Sequence, residues 1–255
     1  MGLFDTVNIY LYTCFIIAYA FFYTCNKLII HKLPRPVEYI DSAKNEEQKL
    51  YRIKRWKNIT VSFIHAIITS IGGLYVLTKH TELVEDMVET HVPSVYIVNC
   101  FVFTYFFYDT VDNLLNNRTR KTYEMMIHHA VVLTCYFIQF IVKRYLGCIT
   151  VILLLEVNSV FLHFRHILLH YNVNKKSFIY RANAFLNVLT LITFRICVIL
   201  WMLKWVYYNH HLLQAYILYI STTGLVIFLV MNTILLYRVI LSDYVKSNKG
   251  DKKFD

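Results

Sequence analysis

The sequence predicts an all-α, polytopic membrane helix bundle of about seven transmembrane helices. Three observations carry that prediction. The 255-residue chain is 57% hydrophobic and only 16% charged. Its apolar residues come in membrane-length runs instead of amphipathic stripes. The segments between the runs alternate between basic and acidic or neutral, the pattern of positive-inside topology.

The first helix, 9–29, is long enough to stay as an anchor and has no basic segment before it, so a cleaved signal is not expected. A basic segment comes next at 31–58, with Lys32, Arg35, Lys44, Lys49, Arg52, Lys54, Arg55 and Lys57. After the second helix, 59–79, segment 80–94 has no Lys or Arg and holds Glu82, Glu85, Asp86 and Glu89. The third helix, 95–113, ends against Arg118, Arg120 and Lys121. The fourth and fifth, 124–142 and 147–169, are joined by a turn with only Lys143 and Arg144 as basic residues. Lys175, Lys176 and Arg181 precede the sixth, 183–204, and a segment without Lys or Arg precedes the seventh, 213–240. The tail is basic again. The N-terminus is therefore expected in the lumen or outside the cell, and the C-terminus in the cytosol. The chain divides into three units: 1–47, the anchor helix and its basic loop; 48–246, the remaining helices as one domain; and 247–255, a basic cytosolic tail.

The net charge of +10 is divided among short loops. Topology setting accounts for it, with attraction to anionic lipids beside that, and no nucleic-acid partner is expected. The six cysteines lie within or at the ends of apolar runs without CxxC spacing, so neither a disulfide framework nor a zinc site is indicated. The sequons at Asn58 and Asn117 fall on the cytosolic side and should stay unglycosylated. The N-terminal MGLFDT matches a myristoylation pattern, but the topology puts it in the wrong compartment. The C-terminal KKFD matches a dilysine retrieval signal for the endoplasmic reticulum; it also reads as a plain basic tail, and both readings stay open.

Two of the helices carry groups that hydrocarbon does not tolerate without a reason. The fourth holds His128 and His129 side by side. The fifth holds Glu156, Asn158, His163, Arg165 and His166. Ionisable side chains inside a membrane face a protein interior or a wet cavity. Helical spacing puts Glu124, His128, Cys135 and Gln139 on one face, and Glu156, Ser159, His163, His166 and His170 on another. Tyr105, Asp109 and Asp112 share a face of the third helix; Asn183, Asn187 and Thr190 share one of the sixth. These seams are expected to meet in one interior, a lipid cavity open toward the cytosol, with Asp109, Asp112, Asn158, His163 and Asn187 as its polar lining. Glu156 and Arg195 each lie about 18 Å from the cytosolic ends of neighbouring helices, so they are expected to form a structural ion pair near the midplane. His65 reads as a packing residue.

The histidines are too sparse for a membrane di-iron site, and no metal is expected. His128 and His129 are the candidate catalytic residues for acyl transfer, with an acid such as Asp109, Asp112 or Glu156 setting the tautomer. A polar-lined lipid pocket without chemistry uses the same groups.

From about residue 50 to 245 the chain resembles the TLC family, on the segments YFFYDTVDNL (105–114), MIHHAVVLTC (126–135) and RYLGCITVILLLEVNSVFLHFRHIL (144–168). The last is most similar to the TLC domain-containing proteins that regulate phospholipid composition and membrane fluidity. That resemblance implies helices around a lipid cavity, a location in the plasma membrane, and a role in limiting polyunsaturated, fluidising chains in phospholipids. The partners would be membrane phospholipids or acyl chains, with no cofactor. The related ceramide synthases share the pair at His128 and His129. Where they carry a His-Asp pair and a further Asp, this chain has Leu155, Glu156, Val157, Asn158 and Ser159; their Arg-x-Gly becomes Arg144-x-x-Gly147. The alternative is an acyl-CoA-dependent acyltransferase, lysophospholipid-directed or ceramide-synthase-like, with acyl-CoA as co-substrate.

Overall fold

The computed structural model describes residues 3–29, 32–116 and 120–245. The KKFD tail, Asn117 and His31 lie outside the described residues. The described residues are almost entirely helical and contain no strand. The helices are α1 (Leu3–Thr24), α2 (Val37–Asp41), α3 (Glu46–Lys79), α4 (Glu82–Glu85), α5 (Pro93–Asn116), α6 (Arg120–Val142), α7 (Leu146–Ile152), α8 (Leu155–His170), α9 (Phe178–Thr190), α10 (Val198–Tyr208) and α11 (Ala215–Ile240).

Six helical stretches among the described residues are long and apolar enough to cross a membrane: α3, α5, α6, α7 with α8, α9 with α10, and α11. Seven were expected. The first expected helix is present as the 22-residue α1, outside those six. It packs on α5 through rings such as Phe15 on Phe107, with centroids 5.7 Å apart.

The six stretches close into a ring in the order α3, α8, α9–α10, α11, α6, α5 and back to α3. A ring gives every polar seam a common inside, which is how helices this apolar can carry buried charge. One end of the ring, where α3 begins and α5 ends, carries the basic segments; it is the basic end, and the other is the acidic end.

Three local features depart from regular helices. Segment 46–58, expected as loop, is the first part of α3: Asn45 caps it by accepting from the Gln48 amide at 2.8 Å, and Glu46 and Glu47 suit the positive N-terminus. The fifth predicted helix is broken at Leu153–Leu154, where bonds run to residues three back, as from Glu156 N to Leu153 O at 2.9 Å. The sixth continues through a π-helical stretch, Leu191–Cys197, which contains Arg195.

The acidic-end loop dives into the ring. Leu83, Met87 and Val88 are buried, and the Val88 carbonyl accepts from the Tyr145 amide at 2.8 Å. Only glycine fits opposite: a Cβ at Gly147 would lie 2.1 Å from the Leu83 carbonyl oxygen. Arg144 pairs with Glu89 across this end.

Candidate functional site

The ring interior gathers polar groups from all six spans. On α5, Asp109 is buried and accepts from Asn58 Nδ2 of α3 at 2.5 Å. His129 of α6 stands beside it, with Nε2 3.6 Å from Asp109 Oδ2. Thr110 gives its own hydroxyl proton to the Phe106 carbonyl at 2.6 Å, so it accepts from His129 Nδ1 at 3.1 Å. The contact at Nε2 is attractive only when a further proton sits on the ring or the carboxyl. Both nitrogens of His129 are thus committed to the protein.

His128 differs. Its ring lies against Phe228 of α11, at 5.0 Å between centroids, and against Phe106 at 5.9 Å. It makes no hydrogen bond to the described residues and keeps accessible surface. His163 of α8 is in the same condition. Arg195 lies within electrostatic reach of His128, His163 and Glu156. The adjacent backbone is closed: Leu155, Asn158 and Ser159 are all buried. These four side chains, His128, Glu156, His163 and Arg195, form one polar cluster, each of them partly exposed.

The expected Glu156–Arg195 ion pair is not a direct one. No Arg195 nitrogen comes within 4.0 Å of the Glu156 carboxylate. The guanidinium donates instead to Ser159 Oγ at 2.8 Å, Asn232 Oδ1 at 2.9 Å and the Leu155 carbonyl at 3.3 Å. Glu156 also contacts Ser159, so the two charges meet across its hydroxyl. The physical reason is the backbone. The break before α8 resets the direction in which Glu156 leaves the helix, and the π-helical stretch turns Arg195 off the face that regular spacing gives it.

The other expected lining residues divide. Asn158 and Asn187 are fully buried and bond each other, with Asn158 Nδ2 at 3.0 Å from Asn187 Oδ1 and 3.0 Å from Thr190 Oγ1. They fasten α8 to α9. Asp112 lies a turn nearer the basic end and accepts from Asn116 at 2.9 Å. His65 is buried and stacked on Tyr105, 3.6 Å between centroids, as a packing residue would be. Asn232 was missed. A single Asn amid the apolar run 213–240 was the available signal.

Beside the polar cluster the structure shows an apolar cavity. It measures about 70 Å³ and lies toward the acidic end, between α6, α7, α10 and α11. It adjoins the polar cluster through shared helix faces. On α6 the cavity reaches Val131, one turn from His128; on α7 it reaches Ile152, one turn from Glu156; on α11 it ends at Phe228, against which His128 packs. The polar cluster forms a floor beside the cavity, and no residue of the cluster lines the cavity itself.

Similarity to known proteins places the chain in a family. The family model for the TLC domain matches residues 55–241. The chain belongs to the TLC domain family. It is 36% identical to TLC domain-containing protein 2 of Danio rerio over 195 residues, covering 76% of this chain and 79% of that protein. It is 28% identical to TLC domain-containing protein 1 of Gallus gallus over 200 residues, covering 78% and 75%. With TLC domain-containing protein 2 of Homo sapiens the identity is 29% over 193 residues, covering 76% and 73%. No solved structure gives a significant match. TLC family membership and six membrane-length helices make this a multi-pass membrane protein with a lipid-related role.

Proposed function

We propose that this TLC domain protein binds a membrane lipid inside its ring and through that site regulates the acyl-chain composition of phospholipids. Its effect would be to limit polyunsaturated, fluidising chains, in the plasma membrane or the endoplasmic reticulum. One observation supports the reading most: His128 and His163 have no hydrogen-bond partner among the described residues and stand within electrostatic reach of Arg195, beside an apolar cavity. Such a cluster suits an ester or headgroup oxygen, with the acyl chains lying along apolar helix faces.

The second reading is acyl transfer from acyl-CoA with His128 as base. The proximity of His128 to Arg195 favours it, since a fixed cation can stabilise developing negative charge. Against it, Asn158 is spent on Asn187 and Thr190, so the stretch that departs from the ceramide synthases supplies one acid, Glu156, to the interior.

The test has two arms. Cells expressing wild type or His128→Ala are compared by mass spectrometry of phospholipid acyl chains. Wild type should lower the polyunsaturated share and the variant should not, at equal folded yield; an equal effect of both defeats the binding site. Purified protein is then given acyl-CoA and lysophosphatidylethanolamine. A His128-dependent product would replace the binding reading with the transferase.

A further inference from the structure

The acidic-end cavity holds two polar groups that take no part in the floor at His128. Gln139 of α6 lines it and is 1% exposed, yet neither its amide oxygen nor its nitrogen is hydrogen-bonded. The neighbouring Tyr96 hydroxyl donates to the Lys143 carbonyl at 3.2 Å and meets His91 Nδ1 at 3.1 Å, so toward Gln139 it can only accept from the amide nitrogen, and the amide oxygen stays without a donor. Tyr145 lines the same cavity, is 5% exposed, and its hydroxyl is likewise without a partner. Buried amides and phenols are nearly always satisfied, so each exception needs an explanation. Tyr145 is also held with φ of 67°, in the left-handed region that a bulky side chain avoids, and Lys143 has φ of 55°. Strain of this kind persists where a site depends on it.

A single layer of residues separates the cavity from the outer face of the ring. A groove of about 370 Å³ runs between α6 and α11 on the outer face of the ring. Groove and cavity share Val131, Ile220 and Gly224. Gly224 keeps that seam thin: a Cβ there would lie 2.9 Å from Val131 Cγ1.

We propose that this cavity binds the hydroxyl-bearing end of an otherwise apolar lipid, reached from the bilayer through the α6–α11 seam, with Gln139 and Tyr145 as its hydrogen-bonding partners. The chemistry selects the class. No charged side chain lines the cavity, so a phosphate or ammonium headgroup would be stranded there. An amide and a phenol each donate and accept, as a hydroxyl does. A volume of about 70 Å³ admits a hydroxyl and the carbons next to it, while the body of the lipid lies in the groove. A sterol and a long-chain alcohol both present this chemistry. The site is separate from the polar floor at His128 and does not rest on a role for it.

The experiment is photo-crosslinking of the full chain in nanodiscs. The probes are a diazirine sterol, a diazirine long-chain alcohol, and the methyl ether of each. At least one hydroxyl probe should label peptides of α6 or α11, and its ether should label about tenfold less, the equivalent of one to two hydrogen bonds. Gln139→Leu with Tyr145→Phe should lower labelling to the level of the ether. Both substitutions remove orphaned groups, so the thermal midpoint should hold or rise, and a loss of labelling is then not a loss of fold. Val131→Trp, which fills the seam, should also lower labelling. His128→Ala should not, which separates this result from a failure of the proposed function. Equal labelling by alcohol and ether, indifference to the Gln139–Tyr145 double variant, or no labelling by either probe overturns the proposal, the last outcome leaving buried water as the partner. The probe that labels decides between sterol and linear alcohol.

Discussion

Asp243, in the π-helical turn Leu241–Val245 after α11, is held by the densest set of charged hydrogen bonds described in the chain. Arg165 Nε and Nη2 reach its two oxygens at 2.6 and 2.5 Å, and the Tyr180 hydroxyl donates at 2.8 Å. The two charged side chains are 8% and 1% exposed. Asp243→Ala removes those three acceptor contacts and leaves the guanidinium with Ser242 Oγ at 3.0 Å. Removing one member of a buried pair costs about 3–5 kcal/mol, because the other stays charged and uncompensated. In a chain of this size that lowers the thermal midpoint by roughly 10 °C. Arg165→Met with Asp243→Leu replaces both charges by apolar volume and should recover most of the loss. Thermal unfolding in detergent, followed by intrinsic fluorescence, gives all four corners of the cycle. A midpoint for Asp243→Ala within about 2 °C of wild type would refute the reasoning. So would a double variant as unstable as its two singles combined.

Three further outcomes are expected. Gly147→Ala should sharply reduce the folded yield on fluorescence-detected size exclusion, since the new Cβ would overlap the Leu83 carbonyl, while Gly72→Ala, whose nearest neighbour would be 3.8 Å away, should not. His129→Ala should destabilise the protein by about 1–3 kcal/mol by orphaning groups on α5, whereas His128→Ala should be near neutral; thermal melts of the two variants check this. Mild oxidation with copper phenanthroline should join Cys14 to Cys100. Each thiol donates to the carbonyl three residues before the other, at 3.6 Å to Ile97 O and 3.4 Å to Leu11 O, so the sulfurs face one another. A mass shift of the linked peptides reads the result, and its absence would count against the packing of α1 on α5.

The parts of the fold legible in the sequence were those written in composition. Long apolar runs and alternating loop charge gave the spans, because burial in lipid leaves no other arrangement for them. The seams on α5 and α9 were legible because regular helices repeat every 3.6 residues, and Asp109, Asn183 and Asn187 are all buried; on α6 the buried histidine is His129, off the expected face of Glu124, His128, Cys135 and Gln139. Irregular stretches with no Gly or Pro to mark them stayed hidden. The break at Leu153–Leu154 falls inside VILLLEV, which reads as continuous helix, and the π-helical LITFRIC carries no signal either. Each such irregularity re-aims the side chains in and after it, which is why depth alone placed Glu156 and Arg195 correctly near each other but did not give their partners. Gly147 was visible only as a departure in spacing, and its reason, a carbonyl from a distant loop, is a tertiary one. The apolar cavity was not foreseen, because it depends on α10, whose uniform hydrophobicity marks no inward face.

The inserted loop at 81–92 makes the protein a stoppered vessel. With Leu83, Met87 and Val88 sunk into the ring and clasped against Tyr145 and Gly147, the acidic mouth is shut by main chain, which cannot swing aside as a side chain can. Traffic with the polar floor at His128 is then one-sided, through the basic mouth or sideways between helices. From the leaflet at the stoppered end the sideways route is the one left, while the other leaflet also has the open mouth. The two leaflets thus meet the protein through unlike entrances, an asymmetry set by twelve residues of loop and one missing methyl group.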